Sequence, residues 1–140
     1  GRPFFDSDEL IEAATGRTVR EIFADDGEDA FRALEQAALL DALALDEPAV
    51  IAAAGGVVLR AENRRALCDS DARVVWLVAR PETLVERVRS GGHRPLLDDD
   101  PGGTLRRMAI EREPLYREVA DAVVSVDHRT VAEVVEAVLR

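Results

Sequence analysis

Lysine is absent from this chain of 140 residues; all 18 of its basic residues are arginine. Arginine is always charged and offers a planar fork of donors that suits carboxylates and phosphates. The bias by itself is read as the mark of a GC-rich coding sequence. Cysteine occurs once, at Cys68, which excludes an internal disulfide and suits a reducing compartment, hence an expected cytoplasmic location. No apolar run approaches the roughly 18–20 residues of a membrane span, and no basic-then-apolar leader pattern is present. Positive charge is scarce: the net charge is −10 and the isoelectric point about 4.7. That balance argues against a general binder of nucleic acid or anionic membrane, but leaves room for a local basic pocket that takes a phosphorylated ligand. What is present is a 47% apolar fraction, enough for a real core, in a length that makes one domain over 1–140.

The chain is organised around Phe4-Phe5-Asp6-Ser7-Asp8. Two aromatics run into two acids one residue apart, and the helical spacing of Leu10, Ile11 and Ala14 follows at once. That order reads as a buried strand, Gly1 to Asp6, then a helix over Asp8 to Ala14. Thr15-Gly16 closes the helix. Thr18 opens another over Val19 to Phe23, and Glu28 to Leu45 reads as the longest, with Phe31, Leu34, Ala38 and Leu39 on one face. Ala49 to Ala54 reads as a fully buried parallel strand that ends in the turn Gly55-Gly56. A short helix over Ala61 to Leu67 and a buried strand over Arg73 to Ala79 come next. Pro81 suits the first position of a helix to about Arg89. Ser90 to Gly103 is expected to be a long functional loop. A helix over Thr104 to Val119, interrupted or bent near Pro114, and a strand over Ala122 to Val126 follow. Thr130 and Glu133 form a capping box for the last helix. Alternating strands and helices imply an α/β fold: a parallel sheet with helices on both faces.

In such folds ligands sit beyond the carboxyl ends of the strands. Asp6 and Asp8 end the first strand; they can face a metal or substrate hydroxyls, or simply cap the next helix. Gly55-Gly56 can let backbone N–H groups approach a ligand, or be a plain turn. Arg32 beside the core face of the long helix can bind an anion, or only pair with Glu28 or Glu35. Arg94, in His93-Arg94-Pro95-Leu96-Leu97, is placed as a lid arginine is placed to reach a phosphoryl group. Arg112 precedes Pro114-Leu115-Tyr116. His93 and His128 have no partners in the pattern and read as surface residues. Cys68 has no adjacent base and reads as inert.

Taken in order, Asp6-Ser7-Asp8, Thr15-Gly16-Arg17, Ile22-Phe23, Gly27-Glu28, Phe31-Arg32 with Glu35, Gly55-Gly56, Arg94-Pro95-Leu96-Leu97 and Arg112-Glu113-Pro114-Leu115-Tyr116 closely resemble shikimate kinase across essentially the whole chain. The resemblance implies a three-layer α/β sandwich of the P-loop, nucleoside-monophosphate-kinase-like kind, with a lid over about 90–103. It implies ATP- and Mg2+-dependent phosphorylation of the 3-hydroxyl of shikimate in aromatic amino-acid biosynthesis. Asp8 then binds the shikimate hydroxyls and assists deprotonation, and Asp6 faces magnesium through water. Arg32 and Arg112 hold the shikimate carboxylate, and Gly55 and Gly56 line its pocket. Arg94 reaches the ATP phosphates, and Arg87 and Arg129 lie at the adenine end. The implied partners are shikimate and ATP, with no nucleic acid, no membrane and a monomeric full-length protein.

Departures from the pattern are also legible. A P-loop, G-x-x-x-x-G-K-[ST], needs a lysine, and these residues hold none. The family carries that loop, with the central first strand and first helix, just before the position of Gly1. The expectation is therefore an N-terminally truncated shikimate kinase, inactive by itself and unstable beside the gap left by the missing strand. Ala54 stands where the family has a third glycine, a costly change only if that position needs positive φ. Val131 stands where proline is common. Two alternatives remain open from sequence: a non-catalytic shikimate-binding protein, and another small-molecule P-loop kinase such as a gluconate kinase.

Overall fold

The structure, a computed structural model, describes residues 1–90 and 101–140. The chain divides into two compact units, Gly1–Ala72 and Arg73–Arg140.

In the first unit, strand β1 (Phe4–Asp6) leads into helices α1 (Ser7–Thr15), α2 (Val19–Asp26) and α3 (Glu28–Leu43). Strand β2 (Val50–Ala52), a short 3₁₀ helix over Gly55–Leu59 and helix α4 (Ala61–Asp69) complete it. β1 and β2 pair in parallel, with Phe4 opposite Val50 and Asp6 opposite Ala52. The ladder begins one residue earlier than β1, where the Val50 N–H donates to the Pro3 carbonyl at 2.8 Å. Pro3 has no N–H to return, which is why the strand is shorter than the expected Gly1–Asp6. Ile11 of α1, Ile22 of α2 and Phe31 of α3 form the core, flanked by Val19, Phe23, Leu34 and Ala38. Each buried side chain of this size contributes about 1.5–3 kcal/mol. The Phe23 and Phe31 rings lie 4.7 Å apart at 38°. Two glycines with positive φ, Gly16 (69°) after α1 and Gly27 (89°) between α2 and α3, turn the chain so that the three helices meet on that core.

In the second unit, strand β3 (Val75–Val78) pairs in parallel with β4 (Ala122–Ser125), Val75 opposite Ala122 and Val78 opposite Ser125. Helices α5 (Pro81–Ser90) and α6 (Pro101–Val119) lie between them in sequence, and α7 (Val131–Leu139) follows. Leu105, Val119, Val124 and Val126 are buried. Trp76 stacks on Tyr116 with centroids 5.3 Å apart, and the Arg117 guanidinium lies 5.4 Å from the Trp76 ring.

Several expectations are corrected here. The β2 and β3 strands are not fully buried: Val50 is 49% exposed and Leu77 51%. Among the described residues each has a single neighbouring strand, so one edge and part of one face lack cover. β2 stops at Ala52 because the Ala54 N–H leaves the ladder for the Ser7 hydroxyl. Gly55-Gly56 opens a 3₁₀ helix instead of a plain tight turn. Helix α6 starts at Pro101, inside the stretch read as loop, with proline at the first helical position. It runs through Pro114 without interruption. Ala54 has φ −66° and ψ 151°, so alanine there carries no conformational cost.

Candidate active site

The Asp6 carboxylate is first of all a helix cap. Its Oδ1 accepts the Asp8 N–H at 2.9 Å and the Glu9 N–H at 3.4 Å, satisfying donors that the first turn of α1 leaves open. These bonds use Oδ1 alone and leave Oδ2 available as a hard oxygen donor. Asp8, half-buried in that first turn, follows Ser7, which is buried. The Ser7 hydroxyl accepts the Ala54 N–H at 3.2 Å and so ties the carboxyl end of β1 to the residue that opens the glycine turn.

The turn in turn meets Arg32. A Cβ placed on Gly56 would lie 2.5 Å from Arg32 Cζ, 2.7 Å from Nη2 and closer still to Nη1. Glycine is required here for close approach, not for an unusual φ. Arg32 is 7% exposed. Its Nη1 donates to Glu35 Oε1 at 2.9 Å and its Nε to Glu28 Oε2 at 3.3 Å. Its guanidinium lies 5.3 Å from the Phe31 ring centroid. Glu35 is buried and Glu28 exposed, so the tight clamp is the one made in low dielectric. Among the described residues, Nη2 makes no hydrogen bond. Burial, two carboxylates and a ring thus fix a guanidinium whose outer donors remain for an anion.

The sequence-derived candidates of the first unit therefore share one neighbourhood: Asp6, Asp8, the Gly55-Gly56 turn and Arg32. Arg87, Arg112 and Arg129 belong to the second unit. Arg112 is half-buried on α6, with no hydrogen bond or ion pair among the described residues. Arg87 is exposed on α5. Arg129 is exposed on the segment between β4 and α7. That segment is pinned on both sides. Asp127 accepts the Thr83 hydroxyl at 2.7 Å and the Arg80 N–H at 3.2 Å, and these bonds hold its carboxyl below the usual value. Glu133 accepts the Thr130 N–H in the expected capping box, and its carboxyl is lowered for the same reason. Arg94, His93 and most of the expected lid lie outside the described residues. His128 is exposed, beside Arg80, as expected of a surface histidine. Among the described residues no group of three or more His, Cys, Asp or Glu side chains could hold a metal ion.

Ser7, Arg60, Asn63 and Arg64 were missed by sequence reasoning. Arg60, Asn63 and Arg64 stand at i, i+3 and i+4 directly after the glycine turn, a one-face pattern that was there to be read.

Comparison with known proteins bears directly on this geometry. Residues 1–140 match the profile of the family described as Shikimate kinase. A shikimate kinase of Symbiobacterium thermophilum is 46% identical over 142 residues, covering 99% of this chain and 80% of that protein. The chain belongs to the shikimate kinase family. A Streptomyces coelicolor shikimate kinase is 43% identical, over 99% of this chain and 80% of its own length. The solved shikimate kinase from Acinetobacter baumannii, in complex with shikimate, superposes with a TM-score of 0.93 at 34% identity, covering 99% of this chain and 77% of that one. This member of the shikimate kinase family has the α/β P-loop kinase fold of those structures. No helix among its described residues is long and apolar enough to cross a membrane.

Proposed function

We propose that this protein takes part in the ATP-dependent phosphorylation of shikimate at its 3-hydroxyl. The observation that carries the reading is Arg32: a buried guanidinium, anchored through Nε and Nη1, with Nη2 turned to no partner among the described residues. A fork held in this way grips a carboxylate in one orientation, and shikimate has one. The A. baumannii relative, solved with shikimate, supports the choice of ligand. Arg112 is proposed as a second carboxylate-binding residue, and the backbone of Gly55 and Gly56 as the pocket lining. Asp8 accepts the hydrogen bond of the attacking hydroxyl and takes its proton as that oxygen bonds to the γ-phosphorus and the bond to the β-phosphate oxygen breaks. Phosphoryl transfer asks little more of a protein than positioning and charge.

Magnesium fits the donor set at Asp6. The ion keeps several waters and needs only one or two carboxylates besides phosphate oxygens, and Asp6 Oδ2 is free of the capping bonds. When bound it neutralises charge on the transferring phosphate. Arg94, Arg87 and Arg129 are proposed for the nucleotide. None of the 140 residues forms a G-x-x-x-x-G-K-[ST] cradle, so no residue of this chain is assigned to that role. The cytoplasmic location, the monomeric state and the lack of a nucleic-acid partner belong to the same reading.

Calorimetric titration with shikimate is the test, followed by a phosphoryl-transfer assay with ATP and Mg2+. Binding is expected, and Arg32→Ala should weaken it by the worth of a charged hydrogen bond, about 1.5–3 kcal/mol. Turnover is expected when a relative's strand, P-loop and helix are joined ahead of Gly1. Shikimate binding that is indifferent to Arg32→Ala would remove the assignment. Tight binding without turnover in the extended protein would favour a non-catalytic shikimate binder.

A further inference from the structure

The 3₁₀ helix that carries Gly56 is five residues long and opens with the Val57 N–H on the Ala54 carbonyl at 3.1 Å. So short an element leaves its last carbonyls without partners of its own. Two consecutive side chains of α4 take three of them. Asn63 Nδ2 donates to the Val57 carbonyl at 3.0 Å. Arg64 Nη1 donates to the Val58 carbonyl at 2.8 Å and to that of Leu59 at 3.2 Å. Arg60, just ahead of α4, reaches α3, with Nη1 on Gln36 Oε1 at 2.8 Å. The start of α4 therefore grips both the glycine turn and the helix that bears Arg32.

Asn63 is 1% exposed, and among the described residues its Oδ1 has no hydrogen-bond partner. A buried amide with one end unsatisfied is a poor packing choice, because leucine fills a similar volume without that penalty. What the amide supplies here is its donor.

We propose that Asn63 is a positioning residue for Arg32. By fixing the Val57 carbonyl it fixes Gly56 against the guanidinium, and so sets where Nη2 points; Arg64 does the same less directly. The inference rests on the reading of Arg32 as a substrate-carboxylate residue.

The experiment is arginine Nε–H NMR on the ¹⁵N-labelled protein, joined to shikimate titration. The variants are Asn63→Leu, Arg64→Met and Arg32→Ala, with each α4 change also made in the Arg32→Ala background. In Asn63→Leu the Arg32 resonance should shift or split while that of Arg17, paired with Asp26 away from the turn, stays in place. Shikimate should bind about tenfold more weakly, roughly 1.4 kcal/mol. In the Arg32→Ala background the same change should cost nothing further, because the group it orients is gone. An unmoved Arg32 resonance, or losses that add in full, overturns the proposal. Should Asn63→Leu fail to fold, Arg64→Met decides by the same two readouts, since Arg64 is only half-buried. If Arg32→Ala binds shikimate like the parent, the substrate reading fails, and the resonance still reports whether Asn63 positions Arg32.

Discussion

Gly56→Ala separates two kinds of glycine. At an unstrained position the change stabilises a protein by about 0.4–1 kcal/mol through the unfolded chain. Gly56 has no positive φ, so its backbone accepts alanine. Its surroundings do not. The new methyl would sit 2.5 Å from Arg32 Cζ, and ordinary contact begins near 3.4 Å, so the guanidinium must retreat by about an ångström. Arg32 Nη1 is 2.9 Å from Glu35 Oε1, and a retreat of that size breaks the bond. A charge-assisted hydrogen bond is worth about 1.5–3 kcal/mol, so stability should fall by about 1–2 kcal/mol after the alanine gain is set against it. The same displacement takes the fork off the shikimate carboxylate, which converts to about ten- to a hundredfold weaker binding. Urea unfolding and calorimetric titration read the two effects separately. A variant that is more stable than the parent and binds shikimate equally well would refute the reasoning, because it would mean that Arg32 does not occupy the space glycine leaves.

Other substitutions test other links. Asp6→Asn keeps a good N-cap, so stability should change by no more than a few tenths of a kcal/mol, whereas in the P-loop-extended protein the Mg2+ requirement for turnover should rise; a parallel loss of both would mean that Asp6 is only a cap. Glu35→Ala leaves the buried Arg32 with the exposed Glu28 as its ion-pair partner among the described residues and should cost about 3–5 kcal/mol in urea unfolding; a loss under 1 kcal/mol would show that Glu28 suffices. Asp127 has a depressed carboxyl, so its contribution is present above the unfolded-state pKa and is lost as pH falls through the folded one. Thr83→Val removes the largest cause, and the Asp127 carboxyl resonance should titrate at higher pH than in the parent; identical midpoints would contradict the assignment of that cause.

The helices were the legible part of the fold. Phe31, Leu34 and Leu39 mark the buried face of α3, and Thr130 with Glu133 announces the start of α7, because both signals are local. Strand burial was less legible. An apolar run such as Val50-Ile51-Ala52 reads as buried whether it has two neighbours or one, since pairing depends on distant chain. At the site, the Arg32–Glu35 pair follows from i,i+3 spacing on a helix. The Asn63 contact does not: it depends on Gly55–Leu59 folding as a 3₁₀ helix, which presents the Val57 carbonyl to the next helix. Asp6 could be read as cap or ligand, and the structure shows the cap while leaving Oδ2 open.

The aromatic residues are sorted between the two units. Phe4, Phe5, Phe23 and Phe31, all the phenylalanines, lie in Gly1–Ala72; Trp76 and Tyr116, the sole tryptophan and tyrosine, lie in Arg73–Arg140 and stack on each other. Tryptophan emission therefore originates in Arg73–Arg140, while every phenylalanine lies in the unit that holds Arg32. Near-ultraviolet circular dichroism sees both, phenylalanine fine structure at the short-wavelength end and the Trp76–Tyr116 pair at the long. One spectrum, recorded through unfolding, carries a separate colour for each half and shows whether they melt as one.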